Sequence, residues 1–150
     1  MDKEELLSEL NKILFYEHGH LSLYEGQRKI IDDQNISQVF DRFKHMEEEH
    51  AQKVVWVIKE LGEVPGNLYK VSDFLGEVAG ITSKVAGTKN ILRADLIVEK
   101  KAIEGYGKLI SQITDARIAD PLRENMIDAG LMYLWLKDQL GKYDPSFELP

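Results

Sequence analysis

Apolar residues recur every three or four positions through most of the chain, the repeat of an amphipathic helix. Leu6, Leu10, Ile13, Glu17, His20, Tyr24 and Ile31 share one face. Asp2 and Glu5 form a capping box at its start, and the pattern carries this helix to about Asp33. A second seam runs Ile36, Phe40, Phe43, Glu47, His50, Val54, Val57, Leu61, and Gly62 is its natural stop. Residues 62–72 read as a loop, followed by a shorter glycine-containing helix over about 73–86. A third long helix is expected over about 89–115, with Leu92, Leu96, Glu99, Ile103, Tyr106 and Ile110 inward. Asp120 and Pro121 read as the N-cap and first residue of a fourth, ending near Leu140 and Gly141.

No stretch alternates with period two, and no Asn-Gly or Asp-Gly turn marks a hairpin. Two long-helix hairpins joined by a long crossover predict an all-α, ferritin-like four-helix bundle. The short extra helix falls in the crossover, between helices 2 and 3. At 150 residues the chain is expected to form a single domain, 1–150. A weak internal echo, "VVWVIKELG" against "LMYLWLKDQLG", fits two similar halves.

Composition narrows the chemistry. No apolar run approaches the roughly 20 residues of a membrane span, and no secretory signal pattern is expected. The absence of cysteine removes thiolate ligands, so a metal must use carboxylates and imidazoles. A net charge of −7 argues against nucleic-acid binding. A cytoplasmic location is expected, with peripheral membrane contact left open.

The seams themselves carry polar groups. Glu17 and His20 lie inside the first, Glu47 and His50 inside the second, and Glu99 inside the third. Three carboxylates buried together lose hydration and repel one another. A pair of divalent cations compensates efficiently, with a His one turn from a Glu ligating the same ion. Pairing of the glutamates with His20 and His50 as imidazolium is the metal-free alternative. Tyr24 and Tyr106 are core aromatics placed to hydrogen-bond a ligating carboxylate. Asp95, one turn before Glu99, reads as a surface or flank residue, with a partner to His50 or His20 as the lesser alternative, and Glu48, Glu49 and His18 as surface.

On these residues the chain resembles the demethoxyubiquinone hydroxylase family, the di-iron ferritin-like enzymes of ubiquinone biosynthesis. "FYEHGHLSLYEGQ" keeps that family's Tyr24, Gly26 and Gln27 and places Glu17 at its first-helix glutamate. The family's Glu-x-x-His falls on Glu47 and His50, and Gly76, Gly80, Gly87, Val98 and Glu99 follow without a gap. The match spans about residues 13–110. It departs at the histidine preceding Glu17, at Gly105-Tyr106 in place of His-Tyr, and throughout the fourth helix, which has no histidine. Three registers are open for the lost second Glu-x-x-His: Ala129 with Met132, Trp135 with Asp138, or Glu124 with Ile127. Two consequences are open: His20 is a replacement imidazole and Asp128 or Asp138 a replacement carboxylate, or one metal or both are lost.

The resemblance implies two iron ions, with manganese or zinc as alternatives, and a dioxygen-dependent monooxygenase acting on a quinone-type substrate. A metal-binding ferritin-like or rubrerythrin-like protein without hydroxylase activity, which oxidises iron, reduces peroxide or holds metal, is the alternative. A metal-free bundle is the third reading. The fourth helix is apolar on more than one side, which predicts a homodimer or other homo-oligomer, or a lipid or quinone-like contact there. The crossover stretch "SDFLGEVAGITSKVAG" is a second candidate for such a contact.

Overall fold

Four helices make up the computed structural model, which describes residues 1–66 and 87–148: α1 (Lys3–Gln27), α2 (Gln34–Glu60), α3 (Gly87–Ile110) and α4 (Ala116–Tyr143). No strand occurs among the described residues. The expected short crossover helix, and its apolar stretch, lie outside them.

Capping decides where the helices begin and end. Asp2 accepts from the Glu5 amide at 2.9 Å while Glu5 reaches back to the Asp2 amide at 3.1 Å, so the capping box forms as expected. α1 stops at Gln27, six residues short of the expected Asp33, because Asp33 is needed elsewhere. Its carboxylate accepts from the amides of Asn35 (2.9 Å) and Ile36 (3.2 Å), opening α2. Ser37 donates to the Arg28 carbonyl at 2.7 Å and closes the end of α1. Gly62, at φ +78°, takes the left-handed geometry that ends α2.

The α3–α4 junction corrects the sequence reading twice. α3 ends at Ile110 rather than 115, because Asp115 caps α4 by accepting from the Arg117 amide at 3.0 Å. α4 therefore starts a turn before Asp120 and runs on to Tyr143, with Pro121 inside it. There the proline ring leaves the Arg117 carbonyl without its helical donor.

End-to-end contacts set the topology. Lys3 pairs with Glu63 at 2.9 Å, so α1 and α2 are antiparallel. Asp144, just past α4, meets Lys89 (3.1 Å) and Arg93 (2.6 Å) at the start of α3. Tyr143 donates to Asp33 at 3.2 Å, which puts the starts of α2 and α3 at the same end of the bundle. The end of α2 and the start of α3 thus lie at opposite ends of the bundle, as the crossover reading requires.

The core divides along the bundle axis. One apolar plug includes Leu10, Leu14, Val54, Val57, Ile58, Leu109, Ile118 and Leu122. The other includes Ile36, Phe40, Phe43, Ile91, Leu92, Leu96, Met132, Leu136 and Leu140. Between them lies a buried polar layer of Glu17, His20, Glu47, His50, Asp95, Glu99 and Asn125.

Candidate metal centre

Each polar side chain of the middle layer comes from a helical repeat that also supplies the plugs, so packing of the plugs positions the layer. Glu17, Glu47 and Glu99 are at most 2% exposed, and His20 and His50 at most 5%. Ligand atoms of Glu17, His20 and Glu47 all lie within 4.8 Å of one another. His50 Nδ1 joins them, 3.3 Å from Glu47 Oε2 and 3.6 Å from Glu17 Oε2. His20 Nδ1 stands 3.7 Å from Glu47 Oε1. Glu47 is therefore central: one oxygen faces each imidazole.

Hydrogen bonds from outside the group orient it. Tyr106 donates to Glu17 Oε1 and itself accepts from Asn125 Nδ2 at 3.0 Å. Tyr24 donates to Glu99 Oε1 at 2.6 Å. Its ring is pinned edge-on by Phe40 and Phe43, with centroids 5.2 and 5.4 Å away. Asp128 Oδ2 approaches His50 Nε2 at 3.4 Å, leaving Nδ1 to face the carboxylates. Tyr24 and Tyr106 hydrogen-bond carboxylates of the layer, whereas Asp128, expected as a replacement carboxylate, stands behind His50.

Asp138 does not join the group. It is exposed on α4 and pairs with Lys142 at 3.0 Å. Of the three registers for α4, Ala129 and Met132 face inward, 2% and 0% exposed. Glu124 is exposed and paired with Lys53, and Ile127 is 59% exposed. The inward positions of α4 at this level therefore carry a methyl and a thioether in place of a carboxylate and an imidazole.

Two residues of the layer escaped the sequence reading. Asp95, expected on the flank, is fully buried and accepts from Gln27 Nε2 at 2.8 Å. It lies i−4 to Glu99, a spacing that puts both on one side of α3. Asn125 is equally buried and bonds the His50 carbonyl at 3.1 Å as well as Tyr106. A lone amide in an apolar helix gives no sequence signal.

The electrostatics are those of crowded, dehydrated charge. Burial, then the Glu47 charge, push Glu17 up to about 7. Burial opposes ionisation of Glu47 too, but Glu17, His20 and His50 together hold it below the usual carboxylate range. Burial likewise lifts Asp95 to about 7, and raises Glu99 well above normal with help from the Glu47 charge. Burial alone would lower the histidines. Glu47 and its neighbouring carboxylates outweigh it, raising His20 to about 9 and His50, with Glu17 and Glu47 its main partners, to about 10.

A cavity of about 890 Å³ opens between α1 and α3 onto this layer. Among the described residues its walls include Ile13, Ile97, Val98 and Leu109, and its inner end meets Glu17, His20 and Tyr106. Lys12, Lys101 and Lys108 stand around it. No helix among the described residues is long and apolar enough to cross a membrane.

The family model described as "Ubiquinone biosynthesis protein COQ7" matches residues 16–129. Among solved structures, the dodecameric thioferritin of Bacteroides fragilis, a bacterioferritin-related protein, superposes with a TM-score of 0.79. It is 17% identical, and the match covers 99% of this chain and 94% of that one. At that identity the likeness establishes the fold, which is ferritin-like. Comparison with curated protein sequences yields no match.

Proposed function

The chain belongs to the COQ7 family of ubiquinone biosynthesis proteins, and from that premise we propose that its buried polar layer is a carboxylate-rich di-metal site. Iron is the metal expected, and the reaction a dioxygen-dependent hydroxylation of a quinone-type ring. One observation carries the metal reading. Four buried carboxylates (Glu17, Glu47, Asp95, Glu99) face only two buried imidazoles (His20, His50). Two imidazolium ions balance two carboxylates and leave two that must hold protons in the metal-free fold, whereas divalent cations match all four.

The donor set fits the group. Oxygen and imidazole ligands suit iron or manganese, and Glu17, His20, Glu47 and His50 already converge. Glu99 Oε2 is buried without a hydrogen-bond partner among the described residues. Bound iron would supply the dioxygen activation. The chain's own residues do the rest. Glu47 bridges the two halves of the site, Asp128 fixes the His50 ring, and Tyr106 and Tyr24 hold Glu17 and Glu99 by one oxygen each. The apolar plugs exclude water from the layer above and below. The α1–α3 cavity admits a hydrophobic ring to the side of the layer lined by Glu17 and His20.

A metal-binding role without hydroxylase activity is favoured by a specific observation, the Ala129 and Met132 that α4 turns inward. Incubation with iron(II), dioxygen, a reductant and a short-tailed quinone separates the two. Mass-spectrometric gain of one oxygen by the ring supports the hydroxylase; iron uptake with no product supports metal holding.

We also propose self-association through α4. Ile127, Leu131 and Leu134 are 59%, 58% and 60% exposed at helical spacing, a stripe that a second copy would cover. The similar thioferritin is a dodecamer. Replacing Leu131 and Leu134 by Lys is expected to give a smaller species in light scattering; an unchanged mass rules the stripe out.

A further inference from the structure

We infer that Asp95 and His20 rebuild, on α1 and α3, the half of the metal site that α4 lacks. The inference rests on the di-metal reading above and adds to it the ligand class and the elements that hold the second ion, a divalent transition metal.

Asp95 and Glu99 lie one helical turn apart and are both 0% exposed. Each is held by one oxygen from α1: Gln27 donates to Asp95 Oδ1 at 2.8 Å, and Tyr24 donates to Glu99 Oε1 at 2.6 Å. Each keeps its other oxygen, Asp95 Oδ2 and Glu99 Oε2, buried with no hydrogen-bond partner among the described residues. Two such atoms on one face are costly in a dry core and are what a cation would satisfy.

His20 supplies the nitrogen. It is buried on α1 one turn before Tyr24, and the charges it feels come from Glu47, Glu99 and Glu17. Its own charge acts in turn on Asp95 and Glu99. His20 stands 3.7 Å from Glu47 and one turn before the Tyr24 that holds Glu99, so it sits on the α1 face that reaches α3. A histidine and two carboxylates, with Glu47 shared, make an N,O set of the kind that holds iron or manganese. On the opposite side, Ala129 and Met132 offer no such donors.

Anaerobic calorimetric titration of the metal-free full-length chain with iron(II) tests this. The wild type is expected to take two equivalents. Asp95→Asn keeps the acceptor for Gln27 but loses the anionic oxygen. It should retain the first equivalent unchanged and bind the second at least roughly tenfold more weakly. His20→Ala, which also borders Glu17 and Glu47, should weaken the second equivalent at least as much. The melting temperature of metal-free Asp95→Asn should hold or rise, since a buried ionisable group is removed. Two undisturbed equivalents in Asp95→Asn, or a lower metal-free melting temperature with both retained, overturn the inference and leave Asp95 a structural residue. If the wild type takes one equivalent and Asp95→Asn takes the same one, this inference fails together with the second ion, and a single-metal site at Glu17, Glu47 and His50 stands. If the wild type takes none, the metal reading itself fails.

Discussion

His50 shows how much one side chain decides. Its Nδ1 faces Glu17 and Glu47, and its Nε2 faces Asp128. A carboxylate behind a ligating imidazole fixes both its tautomer and its orientation. Asp128→Ala is expected to weaken metal binding by about 10- to 100-fold with helix content unchanged, measured by competition with a chromophoric chelator and by circular dichroism. Most of the layer was legible because Glu17, His20, Glu47, His50 and Glu99 sit on lines of apolar residues with helical spacing. Asp95 was not, for a physical reason. It shares the side of α3 that Glu99 occupies, but an Asp set beside Leu92 and Leu96 reads equally well as the flank of that seam, and only the packing of α3 against both α1 and α4 buries it. Asp95 lies on the side where Gln27 meets it.

At the scale of elements, the four long helices were readable and their ends were less so. An Asp before an apolar run is an N-cap candidate at several positions, and only the three-dimensional junction chooses among them. Asp120-Pro121 is the stronger local signal, yet Asp115 holds the cap and Asp120 pairs with Arg123 on the surface. Asp115→Ala is therefore expected to cost about 1 kcal/mol of stability, and Asp120→Ala only a few tenths, read from urea midpoints. The internal echo of Trp, Leu and Gly has no structural counterpart at its tryptophans. Trp56 is 44% exposed, whereas Trp135 packs edge-on against Phe43 with centroids 5.4 Å apart.

The whole molecule is two apolar plugs with a charged layer between them, and its stability without metal must follow the protonation of that layer. Glu17 and Asp95, raised to about 7 from 4.5 and 3.8, hold protons more tightly folded than unfolded. Their ionisation disfavours the fold as pH rises through that range, and Glu99 acts in the same sense. His20 and His50 contribute stability that is complete below 6.5 and is lost as pH rises through about 9 and about 10. Glu47 opposes them only at the acid end, where its stabilisation is lost below its ordinary 4.5. The metal-free melting temperature is thus expected to peak in mildly acid solution and to fall steadily toward the alkaline side. Metal binding needs the same groups deprotonated. The rise in melting temperature on adding manganese(II) should therefore be larger at alkaline than at acid pH, by differential scanning fluorimetry.

Glu47 touches both imidazoles and stands against Glu17, so the metal account depends on it more than on any other side chain. The direct measurement is equilibrium dialysis of the wild type and Glu47→Ala against iron(II) without oxygen, with bound metal counted by mass spectrometry. The account predicts retained iron in the wild type and its loss in Glu47→Ala. A wild type that emerges free of metal, or a Glu47→Ala variant that retains as much as the wild type, would contradict it.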